Sequence, residues 1–326
     1  MTRAAGRRAA PRPPRRGVLR PSRTPGYRRS SRAAVLVAAL VVLVVGGPLL
    51  VPLLDPAVET EQVAPAPTPV AAPATEDAAP VPVVETSPVQ AAVEAADATV
   101  TRRGADVGIA VLDRRTGALA TNDDATDTMN SASLSKLLTA IDVLDRGAGG
   151  TVRVGDADRR LVRAALGPSD DPSMNALWSR FGGQAGITRV SERLGLQDTE
   201  VPDDPSQWGE VQLSARDMTT VVRHVLEGMR PDDRDLVLGA MAAAPVTAAD
   251  GFDQGFGLFD PATRGRAAAK QGWLCCLRNS IDLHSAGTLD ADGRYVVAVL
   301  SNQPFGYAAA RSVLDDAVGA LRGVLA

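Results

Sequence analysis

From Ala33 to Leu54 the chain runs for twenty-two residues without a charged side chain, and that run decides what the segments around it can become. A stretch of this length can cross the ~30 Å hydrocarbon core of a bilayer. Residues 1–32 hold eleven arginines and no acid, and Asp55 stands on the far flank. This asymmetry predicts a cytoplasmic N-terminus. The apolar run is longer than the core of a cleaved signal peptide, so a retained anchor over 33–54 is expected, although Pro48 and Pro52 interrupt its end. No cysteine stands at or near the end of the run, which argues against a lipid anchor. The basic tail alone could suggest nucleic acid, but its position beside the apolar run makes it a membrane flank, and no nucleic-acid partner is expected.

Beyond the run, 24 basic residues face 38 acidic ones, so the exterior part is acidic. Residues 55–98 contain eight prolines, many alanines and no basic residue. Such a composition has too few large apolar groups for a core, and its prolines keep it extended. The sequence therefore divides into a cytoplasmic tail (1–32), a transmembrane anchor (33–54), a Pro/Ala-rich linker (55–98) and a folded domain (99–326) beginning near Val100. The domain lies outside the membrane, facing the cell wall.

Within that domain the chemistry centres on Ser133-Leu134-Ser135-Lys136, followed by the apolar run Leu137 to Leu144. On a helix, positions i and i+3 share a face, which sets the Ser133 hydroxyl beside the Lys136 amine. A neutral amine there can take the hydroxyl proton and turn a weak nucleophile into a strong one. Of the 35 basic residues only Lys136 and Lys270 are lysine. The rest are arginine, as a GC-rich coding bias would leave them. Arginine does not deprotonate in proteins, whereas a buried lysine shifts its pKa readily. The two surviving lysines thus mark positions that need a compact or titrating amine.

In chain order the domain opens with a buried strand, Val107 to Asp113, a turn at Arg114 to Gly117, and a return strand from Ala118. A helical region follows: the Ser133 helix ending at Arg146-Gly147, Ala157 to Leu166, a loop 169–178 entering another helix, and Ile187 to Leu194. Residues 197–213 read as irregular. Ser214 caps a helix through His224 to Met229, with Asp217 three residues on. Asp232 to Ala243 is a further helix, and residues 251–265 form a glycine-rich loop. Strands return at Ala267 to Cys276, Ile281 to Thr288 and Tyr295 to Ser301, and Ala308 to Val324 closes the chain as an amphipathic helix. The expected fold is α+β, a sandwich of helices and one antiparallel sheet built from N- and C-terminal strands, with an inserted helical region.

These residues resemble the serine β-lactamase and penicillin-binding-protein superfamily, closest to class A, which carries S-x-x-K, then S-D-N, then K-T-G. The counterparts here are Ser133-Leu134-Ser135-Lys136, Ser169-Asp170-Asp171 and Lys270-Gln271-Gly272, with Asn175 matching a helix asparagine after the second motif. The resemblance implies Ser133 as acylated nucleophile, Lys136 as its proton acceptor and Ser169 as proton relay to the leaving nitrogen. It further implies that Lys270 holds a substrate carboxylate and Ser169 electrostatically, and that Gly272 lets the substrate approach the strand. The N–H groups of Ser133 and Trp273 would form an oxyanion hole.

Three departures stand against that pattern. Asp171 replaces an asparagine, so an amide donor is lost and a negative charge is added near Lys136. Gln271 replaces a hydroxyl residue and is expected to fill part of the carboxylate subsite. No E-x-x-L-N motif supplies a class A deacylation glutamate: Glu200, Asp203 and Asp204 lie in that region without the right neighbours.

Other chemistries find little support. His224 and His284 are the only histidines and no G-x-S-x-G elbow occurs, so both are expected to be packed or hydrogen-bonded. Cys275 and Cys276 are adjacent. Across a trans peptide their Cα atoms sit about 3.8 Å apart, below the usual disulfide range, so two separate thiols, one buried, are expected. No metal site can be assembled and no cofactor is expected. Of the three tryptophans, Trp273 is the one placed to touch a ligand.

The expected function is a membrane-anchored, extracytoplasmic class A β-lactamase-like serine hydrolase, monomeric, acting on a β-lactam or a D-Ala-D-Ala-type peptidoglycan peptide through a Ser133 acyl-enzyme. The alternative is a catalytically weak or inactive relative that binds cell-wall peptide or a partner protein.

Overall fold

In the computed structural model of the chain, residues 87–261, 267–304 and 306–325 are described. The expected tail, span and most of the linker fall in residues 1–86, outside the described residues. Strand β1 (Val107–Asp113) is buried along its whole length, as expected of an apolar strand covered on both faces. It turns at Gly117, whose φ of +77° suits glycine, into β2 (Ala118–Thr121), pairing antiparallel from Ala110↔Thr121 to Asp113↔Ala118.

The other side of β1 pairs with β7 (Tyr295–Pro304), almost two hundred residues on, in the register Val107↔Ser301 to Asp113↔Tyr295. Strands β5 (Ala269–Cys275) and β6 (Ser280–Thr288) complete an antiparallel sheet of order β2-β1-β7-β6-β5. The two ends of the folded domain thus build one sheet, with β2 and β5 at its edges.

Alternation along the strands sends successive side chains to opposite faces. Val297 and Val299 pack with Ile109 and Val111 on one face, against α1 (Pro88–Thr101) and α8 (Tyr307–Leu325). Val296, Ala298 and Leu300 face the inserted helices. These are α2 (Ser135–Ala148), α3 (Asp156–Leu166), α4 (Asp171–Phe181), α5 (Gln184–Leu194), α6 (Ala215–Glu227) and α7 (Pro231–Ala242). Ser214 caps α6 by accepting from the Asp217 N–H at 3.1 Å. A short ladder, β3 (Met129–Asn130) with β4 (Gln212–Leu213), ties the segment before Ser133 to the loop before α6.

Two expectations require correction. Residues 88–98, expected as linker, belong to the folded unit and are the greater part of α1. Ser87 caps it, proline sits at its first position, and Val89, Ala92, Val93, Ala96 and Val100 are buried at helical spacing. The cysteines are also not separate thiols. The Cys275–Cys276 peptide is cis, bringing the Cα atoms to 3.1 Å, and the two sulfurs are joined as a disulfide with both residues exposed. The expectation had applied the usual Cα-separation range to two adjacent residues.

The α1 correction can be tested directly. Val93→Asp buries an unpaired carboxylate beneath α8 and is expected to lower the unfolding free energy by about 3–5 kcal/mol in chemical denaturation. An exposed linker residue would leave it unchanged.

Candidate active site

Ser133 stands in a single 3-10 turn (Ala132–Leu134) that runs directly into α2. The residue before it, Ala132, holds the left-handed region at φ +48°, an unfavourable conformation for a residue with a Cβ, and such strain clusters where a structure over-determines its geometry. Lys136 lies one turn on, with a fully buried side chain. Its Nζ is 2.9 Å from Ser133 Oγ, 3.0 Å from Ser169 Oγ, 2.6 Å from the Ser169 carbonyl and 2.6 Å from Asp171 Oδ1.

Ser169 precedes α4, also left-handed at φ +59°, and Asp170 caps that helix by accepting from the Ser173 N–H at 2.8 Å. These two residues fix Asp171 at the first helical position, facing Lys136. From the sheet edge, Lys270 reaches in and donates to Ser169 Oγ at 2.9 Å and to the Gln271 carbonyl at 2.7 Å. The four groups expected to act together, Ser133, Lys136, Ser169 and Lys270, form one continuous buried chain of hydrogen bonds.

Their protonation follows from burial. Removing an ammonium from water disfavours it. Burial pushes Lys136 below the usual lysine range, while the hydrogen bond and charge of Asp171 push back. Lys270 is driven well below that range by burial and then by the neighbouring Lys136 charge. A neutral Lys136 has a lone pair to accept the Ser133 O–H proton, which an ammonium lacks. Desolvation thus outweighs the charge that Asp171 adds near Lys136, and the net displacement of the Lys136 pKa is downward.

A cleft of about 570 Å³ opens over Ser133, lined also by Asp171, Asn175, Trp208, Asp250 and Trp273. Gly272 lets β5 come close to the turn that carries Ser133: a Cβ there would sit 3.1 Å from the Ser131 carbonyl and 3.4 Å from the Ala132 Cβ. Gln271 corrects an expectation. Strand alternation turns it away from Lys270, so it is buried with its amide donating to the Phe256 carbonyl and does not line the cleft. It cannot fill the carboxylate subsite with its side chain.

Two cleft residues escaped the sequence reading. Trp208 lies 4.9 Å from Lys136 Nζ by its ring centroid and donates to Asn175 Oδ1 at 2.8 Å. Asp250 accepts from the Trp273 indole N–H and from the Phe252 N–H, each at 2.9 Å. No spacing linked either residue to the motifs. Glu200, Asp203 and Asp204 do not line the cleft; Glu200 is tied by its backbone to Gln212.

Both histidines are fully engaged elsewhere. The His224 ring is 2.7 Å from Asp145, and the buried His284 lies 2.7 Å from the Asn130 carbonyl. Among the described residues no cluster could hold a metal ion. A slightly larger hollow of about 640 Å³ between α3 and α7 is lined by residues such as Arg163, Asp232, Leu236 and Gly239 and holds no serine, cysteine or lysine.

Comparison with known proteins decides the family. Residues 158–321 match the family described as "Beta-lactamase enzyme family". The chain belongs to that family. It is 36% identical over 218 residues to proteins of Mycobacterium tuberculosis and Mycobacterium bovis named "Putative lipoprotein LppW", covering 66% of this chain and 69% of theirs. Its fold is similar to that of a β-lactamase from Chitinophaga pinensis, with a TM-score of 0.61 at 14% identity over 72% of this chain and 99% of that one. PBP-A is also similar, with a TM-score of 0.58 at 17% identity over 72% and 95% of the two chains. The fold is thus that of the serine β-lactamase and penicillin-binding-protein superfamily, and the family is of serine hydrolase type.

Proposed function

We propose that this chain is an extracytoplasmic serine hydrolase acylated on Ser133 by β-lactams or D-Ala-D-Ala-type peptides. The observation that carries the reading is the 2.9 Å contact between Ser133 Oγ and a fully buried Lys136 whose charged form is disfavoured. In this reading neutral Lys136 accepts the Ser133 hydroxyl proton while Oγ bonds to the substrate carbonyl carbon. The N–H groups of Ser133 and Trp273 hold the developing oxyanion. The proton passes through Ser169 to the leaving nitrogen as the C–N bond breaks, with Lys270 orienting the Ser169 hydroxyl.

The LppW likeness supports placing the domain outside the cell membrane, and the uncharged run 33–54 supports its being held there. Both cysteines of the chain lie at 275 and 276, which favours attachment through that span over a lipid. Among the described residues no helix is long and apolar enough to cross a membrane. One observation favours a second reading, in which the cleft binds cell-wall peptide without turnover: no carboxylate from residues 197–213 lines the cleft to activate water.

Intact-protein mass after mixing the full-length chain with a β-lactam separates these readings. A covalent adduct absent from Ser133→Ala is expected. Neither adduct nor drug consumption by the folded protein would favour the binding reading.

The pH dependence of adduct formation tests the role of Lys136. The rate is expected to rise with pH as Lys136 loses its proton. Asp171 raises the Lys136 pKa, so Asp171→Asn lowers it and moves the rise to lower pH. A shift to higher pH, measured by stopped-flow acylation, contradicts the assignment.

A further inference from the structure

Hydrolysis of a serine ester needs a base that takes a proton from water, placed so that the same water reaches the ester carbonyl. Among the described residues the acids lining the cleft over Ser133 are Asp171 and Asp250. Asp250 has both oxygens committed, one to the Trp273 indole N–H and the other to the Phe252 N–H. The loop before α6 brings an indole to the cleft and no acid. The Trp208 ring centroid lies 4.9 Å from Lys136 Nζ, and its N–H is taken by Asn175.

Asp171 differs from both. Its Oδ1 accepts from Lys136 at 2.6 Å, its side chain keeps about half its surface exposed (53%), and its Oδ2 has no hydrogen-bond partner among the described residues. Lys136 Nζ also stands 2.9 Å from Ser133 Oγ, so the carboxylate lies within two hydrogen-bond lengths of the serine oxygen. A water bound to the open side of Asp171 is therefore within reach of a carbonyl carbon bonded to that oxygen. The asparagine of the resembling pattern carries an amide, which is no base for water; the acid that replaces it can take up a proton.

Resting on the serine-hydrolase reading, we propose that Asp171 is the base that activates water against the Ser133 ester, and that Lys136 returns the proton to Ser133. One O–H bond of water breaks as its oxygen bonds to the ester carbonyl carbon, and the proton goes to Asp171. Asp171 passes a proton to Lys136 across their 2.6 Å contact, and Lys136 passes one to Oγ as the C–Oγ bond breaks. The products are the free carboxylic acid of the ligand, the Ser133 hydroxyl and the Asp171 carboxylate. No further proton donor or acceptor is required, and position 171 supplies the base that residues 197–213 do not bring to the cleft.

The full-length chain is mixed with less benzylpenicillin than protein, quenched in acid at intervals and read by intact mass. One time course then reports both formation and loss of the Ser133 adduct. Asp171→Asn, checked by its melting transition to be folded, is expected to form the adduct and to lose it about a hundredfold more slowly than the wild type. Hydroxylamine attacks an ester without a base, so it is expected to release the adduct equally fast from both proteins, which separates a lost base from a closed cleft. Asp203→Asn, outside the cleft, is expected to lose its adduct at the wild-type rate. Equal rates of loss from wild type and Asp171→Asn, or slow release by hydroxylamine from the variant alone, overturn this inference while the serine-hydrolase reading stands. Neither adduct nor drug consumption in either protein overturns both.

Discussion

The placement of one amine inside the protein governs the rest of the site. Lys136 has no solvent contact, and its Nζ is held among two serine hydroxyls, a carbonyl and a carboxylate. An ammonium has three donors for these four acceptors. A neutral amine has two donors and a lone pair, and the lone pair is what a serine proton needs. Burial favours the second state and Asp171 favours the first, so in the proposed function the balance between desolvation and one ion pair would set the pH at which Ser133 is activated.

That balance explains features well removed from the amine. The strained backbone at Ala132 and Ser169 aims two hydroxyls at one nitrogen. The edge position of β5 brings Lys270 to the far side of Ser169, and Gly272 removes the side chain that would hold the strand away from Ser131. The sheet that carries β5 is closed by pairing β1 with β7, so the chemistry depends on contacts between the two ends of the domain.

Much of this was legible in the sequence because it is local. A serine three residues before a lysine must share a helical face with it, and two lysines among thirty-three arginines mark where arginine would not serve. The strand–helix–strand–helix order sufficed for the fold. What escaped depends on contacts between distant segments. Asp250 and Trp208 reach the cleft through loops whose path no periodicity encodes. The first helix was hidden by averaging its few residues with a proline-rich stretch, although Val89, Ala92, Val93, Ala96 and Val100 carry helical spacing. Strand alternation could have shown that Gln271 faces away from Lys270. The cysteine pairing was missed because a Cα-separation range for disulfides in general was applied to two adjacent residues.

The central claim is that burial holds the Lys136 pKa below the ordinary lysine range despite its contact with Asp171. Lysine-selective isotope labelling suits this chain unusually well, because only two side-chain signals arise and Lys270→Arg assigns them. Titration of the full-length protein by NMR is expected to show both amines losing their protons below the ordinary lysine value of about 10.4, with Lys136 moving lower still in Asp171→Asn. A Lys136 signal titrating at or above the ordinary value would contradict the account, since the serine would then face an ammonium with no lone pair to receive its proton.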